Sequence, residues 1–134
     1  MILLDTSVLS AALRRRTRGP AEEEAAKRID ALLSGDEEVA LPGIVFQEIL
    51  SGVSERGQRD KLLSRVRESF PVTLATEGDH IMAADLVSQS AKSGIRLSTA
   101  DALIAAQAIN RRARLLTTDG DFLPLAQAAG LKLL

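Results

Sequence analysis

Short apolar runs alternate with longer helix-patterned stretches along the whole chain, and this alternation restricts the fold more than any other feature of the sequence. The opening run MILL reads as a buried strand ending at Asp5. TSVLSAAL follows as a helix, opened by hydroxyl residues suited to an N-cap. After the basic, Gly-Pro-punctuated loop RRRTRGP, the segment Ala21 to Leu33 carries acids in its first turn and stops at Gly35, which predicts a second helix. Glu38 to Leu41 predicts the next strand, with Pro42 starting the helix PGIVFQEILSGV. Residues 57 to 67 read as a further exposed helix, FPVTLA as a third short strand, and Asp79 to Ser93 as a helix closed by Gly94. A helix from near Ser98 to about Arg112 then leads into the strand RLLTT, a brief helix and the terminal strand LKLL.

Apolar strands separated by helices predict an α/β fold of the three-layer α/β/α type, a parallel sheet covered on both faces. A chain of 134 residues is the size of one domain, so residues 1–134 are expected to form a single unit around one core. In such sheets ligands bind beyond the carboxyl ends of the strands. That rule directs attention to Asp5, immediately after the first strand, and to Asp119 and Asp121, immediately after the fourth.

The residue types that are missing narrow the chemistry. Cysteine is absent, which excludes disulfides and thiolate zinc sites and fits a reducing, cytoplasmic setting. The one histidine, His80, lies in a polar helix start beside Asp79, so a His-dependent catalytic triad has no natural member. Three Phe with no Tyr or Trp give no aromatic platform for stacking unpaired bases. A net charge of -1 provides no bulk attraction for polyanions, so any nucleic-acid contact needs a local basic patch. MILL is far too short for a signal segment, and no later run approaches the length of a membrane span.

Each prominent acid has two readings. Asp119 and Asp121, in TTDGDF, are either turn residues closing a strand or metal ligands at its end. In GIVFQEILSGV, a rotation of about 100° per residue places Glu48 between Ile44 and Val45, inside the apolar arc. A carboxylate there must be paired, protonated or bound to a cation, unless it reaches solvent past Gln47 and Ser51. In STADALIAAQAI, Asp101 shares a face with Ala105 and Ala108, and it also stands three residues after Ser98, the spacing of a capping box. Asp85, next to Gln89 on a helix interior, belongs to a solvated face. Taken together, Asp5, Glu48, Asp101, Asp119 and Asp121 fall at element ends or on core-facing surfaces, and such a cluster repels itself without a cation. An all-carboxylate donor set suits Mg²⁺ or Mn²⁺ and does not suit zinc.

The segments LLDTSVL, LPGIVFQEIL, STADALIAAQA and LLTTDGDF, in that order and spread over the whole chain, resemble the four acidic motifs of the PIN-domain ribonucleases. They are most similar to those of the VapC-like toxins of bacterial and archaeal toxin-antitoxin pairs. The resemblance implies a parallel sheet of about five strands in the order 3-2-1-4-5. It implies that Asp5, Glu48, Asp101 and Asp119 form the catalytic metal-site quartet, with Asp121 an accessory acid beside the metal and Thr6, Ser7 and Thr117 as supporting hydroxyls. It also implies Mg²⁺-dependent cleavage of structured RNA, tRNA or rRNA, with Mn²⁺ able to substitute, a small antitoxin that covers the site, and a homodimer.

Because RNA is polyanionic, the acids repel it unless a cation is bound. Arg14, Arg15, Arg16 and Arg18, with a second group in Arg111, Arg112 and Arg114, are candidates for drawing RNA in by its phosphates, or else are solvated helix-end charges. A phosphatase or phospho-accepting α/β domain would also place an Asp after its first strand, but LLDTS lacks a second acid two residues on, and no lysine lies near a later strand end. A PIN-like module without activity is disfavoured by the complete acidic set. An RNA-maturation nuclease without an antitoxin shares every one of these residues, and an antitoxin gene directly upstream would tell the two apart.

Overall fold

A computed structural model describes residues 1–13 and 19–134. Five strands, β1 (Ile2–Leu4), β2 (Val39–Pro42), β3 (Val72–Thr73), β4 (Arg114–Leu116) and β5 (Lys132–Leu133), form a parallel sheet in the order β3-β2-β1-β4-β5. The connections are helical: α1 (Thr6–Leu13), α2 (Pro20–Leu33), α3 (Gly43–Ser51), α4 (Arg56–Ser69), α5 (Glu77–Lys92) and α6 (Thr99–Asn110). A 3₁₀ turn (Gly120–Phe122) and α7 (Leu123–Ala128) lead from β4 to β5. The α/β architecture and the strand order are those expected from the sequence.

Every residue of β1 and β2 is buried, the signature of central strands covered on both faces. On one side α1 packs on α2 and α3, and α5 packs on α6. Leu3, Leu4, Leu41, Leu115 and Leu116 form the middle of the core, with Ala105, Ala106 and Ala108 of α6 and with Phe122. The small side chains of α6 let its backbone lie close against its neighbours. Phe70 and Phe122 are both buried, so the scarce aromatic residues serve packing.

Element ends differ from the sequence expectation where side chains compete for the backbone. RLLTT stops as a strand at Leu116, because the hydroxyl of Thr117 accepts from Asp119 N at 2.9 Å and turns the chain. FPVTLA contracts to the two-residue edge strand β3, and the carbonyl of Leu74 accepts instead from Arg111 Nη2 at 2.9 Å. α5 starts two residues earlier than expected, since Thr76 and Asp79 form a capping box with bonds of 3.1 and 2.9 Å. It ends at Gly94, whose φ of +73° is open to glycine and strained for other residues.

Asp79 is the feature of this region that the sequence did not announce. It is 1% exposed, and its carboxylate accepts from Thr76 N, from Asn110 Nδ2 at 2.8 Å and from Arg111 Nη1 at 2.9 Å. Burial opposes its ionisation, but these donors and the Arg111 charge outweigh it and hold its pKa below the usual carboxylate range. His80 beside it is exposed, as is Asp85. Among the described residues no helix is long and apolar enough to cross a membrane.

Candidate metal centre

Parallel pairing sets Leu4 opposite Leu116, so the chain leaves β1 and β4 side by side at one edge of the sheet. Asp5 is the first residue past that edge. It is buried, and its N–H continues the ladder to Leu116 O at 3.0 Å. Its Oδ2 accepts from Ser7 Oγ and from Thr117 Oγ1, both at 2.7 Å. The same two hydroxyls accept in turn from Thr118 N at 3.1 Å and Asp119 N at 2.9 Å. Two hydroxyls on different strand ends thus fix one oxygen of Asp5. Among the described residues no hydrogen bond reaches Oδ1, which leaves that oxygen for another partner.

Asp119 is a turn residue: its Oδ1 accepts from Asp121 N at 2.9 Å and caps the 3₁₀ turn. It is also one of three converging acids, because Asp101, Asp119 and Asp121 each present a carboxylate oxygen within 4.8 Å of the others. The turn reading of TTDGDF is realised, and the same geometry brings its two carboxylates together with that of Asp101. Asp101 resolves in a similar way. Ser98 caps α6 by accepting from Asp101 N at 3.1 Å, but the return bond that completes the capping box in α5 is not formed here. The Asp101 carboxylate is left to face Asp119 and Asp121.

Glu48 takes the solvent-reaching alternative of its two sequence readings. α3 buries Val45 and Ile49, whereas Glu48 lies at the exposed rim of the helix and outside the apolar arc. Its carboxyl nevertheless senses the other acids: partial burial, then the charges of Asp5 and Asp101, push its pKa up against a favourable contribution from Thr6. The Thr6 hydroxyl is buried and has no hydrogen-bond partner among the described residues, so it is poised beside Glu48 without a formed bond. Asp101 is pushed up by burial and by the charges of Asp5, Asp119 and Asp121, with the Ser98 side chain working against the shift. The shifts of Glu48 and Asp101 register the charges of neighbouring acids, although only Asp101, Asp119 and Asp121 are close enough to share one ion. Three carboxylates with no nitrogen or sulfur donor fit a hard divalent cation.

Arg14, Arg15, Arg16 and Arg18 lie outside the described residues. Arg111 is committed to Asp79 and to the Leu74 carbonyl. Arg114 opens β4, at the edge of the sheet opposite Asp119, and pairs with Glu37, which also binds the amino group of Met1 at 3.3 Å. Arg112 is exposed just beyond α6. The second basic group is therefore not gathered at the acids: two of its three members hold other elements together. The Thr76-x-x-Asp79 spacing was the one available signal that Asp79 caps a helix, and nothing in the sequence pointed to its burial.

Strand order and site together define a parallel α/β protein with a carboxylate-lined crevice at the carboxyl ends of its central strands. The PIN-domain model matches residues 2–128, and the chain belongs to that family, a family of nucleases. Comparison with curated proteins yields no match. Among solved structures, the chain is similar to that of FitAcB from Neisseria gonorrhoeae, with 28% identity and a TM-score of 0.77 over 99% of this chain and 96% of the other. It is similar to a chain of VapBC-5 from Mycobacterium tuberculosis, a member of the VapBC family of toxin-antitoxin systems, with 25% identity and a TM-score of 0.67 over 98% and 95%. VapBC2 from Rickettsia felis, bound to a DNA fragment from its promoter, shares the fold at 19% identity, with a TM-score of 0.79 over 100% and 98%.

Proposed function

We propose that residues 1–134 act as one nuclease domain that hydrolyses phosphodiester bonds in structured RNA, with tRNA or rRNA as the substrate class and Mg²⁺ as cofactor, replaceable by Mn²⁺. The observation that carries this reading is the convergence of Asp101, Asp119 and Asp121 within 4.8 Å, with buried Asp5 held beside them by hydroxyls. Asp5, Asp101, Asp119 and Asp121 are the metal-holding acids in this reading, with Glu48 at the rim completing the catalytic set. Thr117 and Ser7 orient Asp5, and Thr6 stands beside Glu48. A divalent cation held here supplies a more acidic bound water and neutralises charge on the phosphate oxygens. The chain's own part is to fix the donor oxygens at the strand ends.

Membership of the PIN family and likeness to VapBC-5, a member of a family of toxin-antitoxin systems, support a toxin that pairs with a small antitoxin, and we propose that it works as a homodimer in the cytoplasm. Purified protein incubated with total RNA should cleave it with Mg²⁺ or Mn²⁺ and leave it intact with chelator. Full cleavage in chelator removes the metal from the reading.

Arg14, Arg15, Arg16 and Arg18 are proposed to contact RNA phosphates. Changing all four to Ala should weaken RNA affinity and make its dependence on salt shallower, since fewer counterions are released on binding. Binding isotherms at several salt concentrations measure that slope, and an unchanged slope returns these arginines to the solvent.

A further inference from the structure

Asp101 differs from Asp5 in how it is held. Asp5 is fixed by Ser7 and by Thr117 from the end of β4, whereas among the described residues no hydrogen bond from another element reaches the Asp101 carboxylate. Its position is therefore set by where α6 lies as a rigid body. At the far end of α6 three side chains hold that body in place. Gln107, fully buried, donates from Nε2 to Thr73 O at 3.1 Å. Asn110 donates to Asp79 Oδ1 at 2.8 Å, and Arg111 reaches both Asp79 Oδ2 and Leu74 O at 2.9 Å. All the acceptors belong to one short segment, Thr73 to Asp79, which Thr76 N and Asp79 close on themselves.

Apolar packing of alanines resists separation of α6 from its neighbours but is weakly directional, and small shifts along or about the helix axis cost little. Hydrogen bonds to a buried charge are directional and strong, so they fix both the axial position and the rotation of α6. The same segment abuts α3, since Leu74 lies against Gly43, the first residue of the helix that carries Glu48.

We propose that Asp79, with Asn110, Arg111 and Gln107, is a latch that positions Asp101 from the opposite end of α6 and thereby sets the metal affinity of the crevice. The inference rests on the reading of Asp101, Asp119 and Asp121 as metal ligands. The latch residues touch neither metal nor substrate and are positioning residues.

Mn²⁺ titration of the folded protein, followed by the electron paramagnetic resonance of free Mn²⁺, tests this without any RNA. Arg111→Ala should weaken Mn²⁺ binding about tenfold, in the range known for groups that orient metal ligands. Asn110→Ala and Arg111→Lys should weaken it less, the lysine because a single ammonium cannot bridge Asp79 and the Leu74 carbonyl together. Val66→Ala, in the core beside α1 and α2, is the control for general destabilisation: it should melt lower and bind Mn²⁺ as the parent does. If Arg111→Ala does not fold, Asn110→Ala, which loses one hydrogen bond, decides the matter. Parent-like affinity in the folded latch variants, or equal weakening in Val66→Ala, overturns the latch and leaves the metal reading standing. Absence of Mn²⁺ binding by the parent overturns both.

Discussion

Replacing Asp5 or Asp101 by Asn is expected to lower metal-dependent RNA cleavage by about 10²-fold or more while leaving the protein folded. The two changes act by different routes. At Asp5, the amide oxygen of Asn can take over the place of Oδ2 and accept from Ser7 and Thr117, which preserves the junction of β1 and β4. Its amino group then occupies the place of Oδ1 and offers a donor where a cation needs an acceptor. At Asp101, no other element among the described residues binds the carboxylate, so the loss is chiefly one of ligand charge. Initial rates on RNA with saturating Mg²⁺, measured beside circular dichroism melts, separate lost activity from lost structure. Parent rates in both variants at parent stability would sink the assignment of these acids.

The second large effect is on stability, and it does not depend on knowing the RNA. Without metal, like charges crowd one partly buried crevice, and their repulsion weakens the fold. Mn²⁺ at about 100 times its dissociation constant should add about 2.7 kcal/mol if it binds only the folded chain. Asp101→Asn should raise the melting temperature of the chelated protein or leave it unchanged, and should shrink the Mn²⁺-induced rise. If Asp101 served only as a cap, the variant would melt lower and respond to metal as the parent does.

The pH dependence has a definite sign. Asp101 and Glu48 have raised folded pKa values, so on raising the pH the unfolded chain loses those protons first. Stability of the chelated protein therefore falls as pH rises from the ordinary carboxylate range through the raised values. Asp79 acts the other way at lower pH. Its folded pKa is lowered, so its contribution is present above the ordinary carboxylate value and lost as pH falls through the folded one. Asp101→Asn should flatten the first limb and leave the second. Melts in chelator across that pH range read both slopes.

The alternation of apolar runs and helical stretches carried the architecture because both faces of β1 and β2 are covered, which demands uninterrupted apolar strands. Asp5, Asp101, Asp119 and Asp121 could be placed from sequence since each follows a strand end or opens a helix, where chain direction alone fixes the location. Glu48 sits in mid-helix, where a wheel cannot separate the edge of an apolar arc from its middle, and it came out at the rim. Asp79, Asn110 and Arg111 were illegible for another reason. Their partners come from elements more than 30 residues apart, and no local spacing encodes such a meeting. The engagement of Arg111 with Asp79 and Leu74 has the same origin, whereas Arg114 opens β4 and chain direction alone puts it at the end opposite the acids.

The hydroxyl bridge from Ser7 through Asp5 to Thr117 spans more than 110 positions of the chain. During synthesis, β1 and α1 emerge long before β4, and nothing in the first hundred residues can supply Thr117, Asp119 or Asp121. Asp5 must wait with an incomplete set of donors until the polypeptide has been made at least as far as Thr117 and β4 has inserted beside β1. Folding intermediates that lack β4 hold no three-acid cluster, so the three carboxylates come together only once β4 has inserted beside β1.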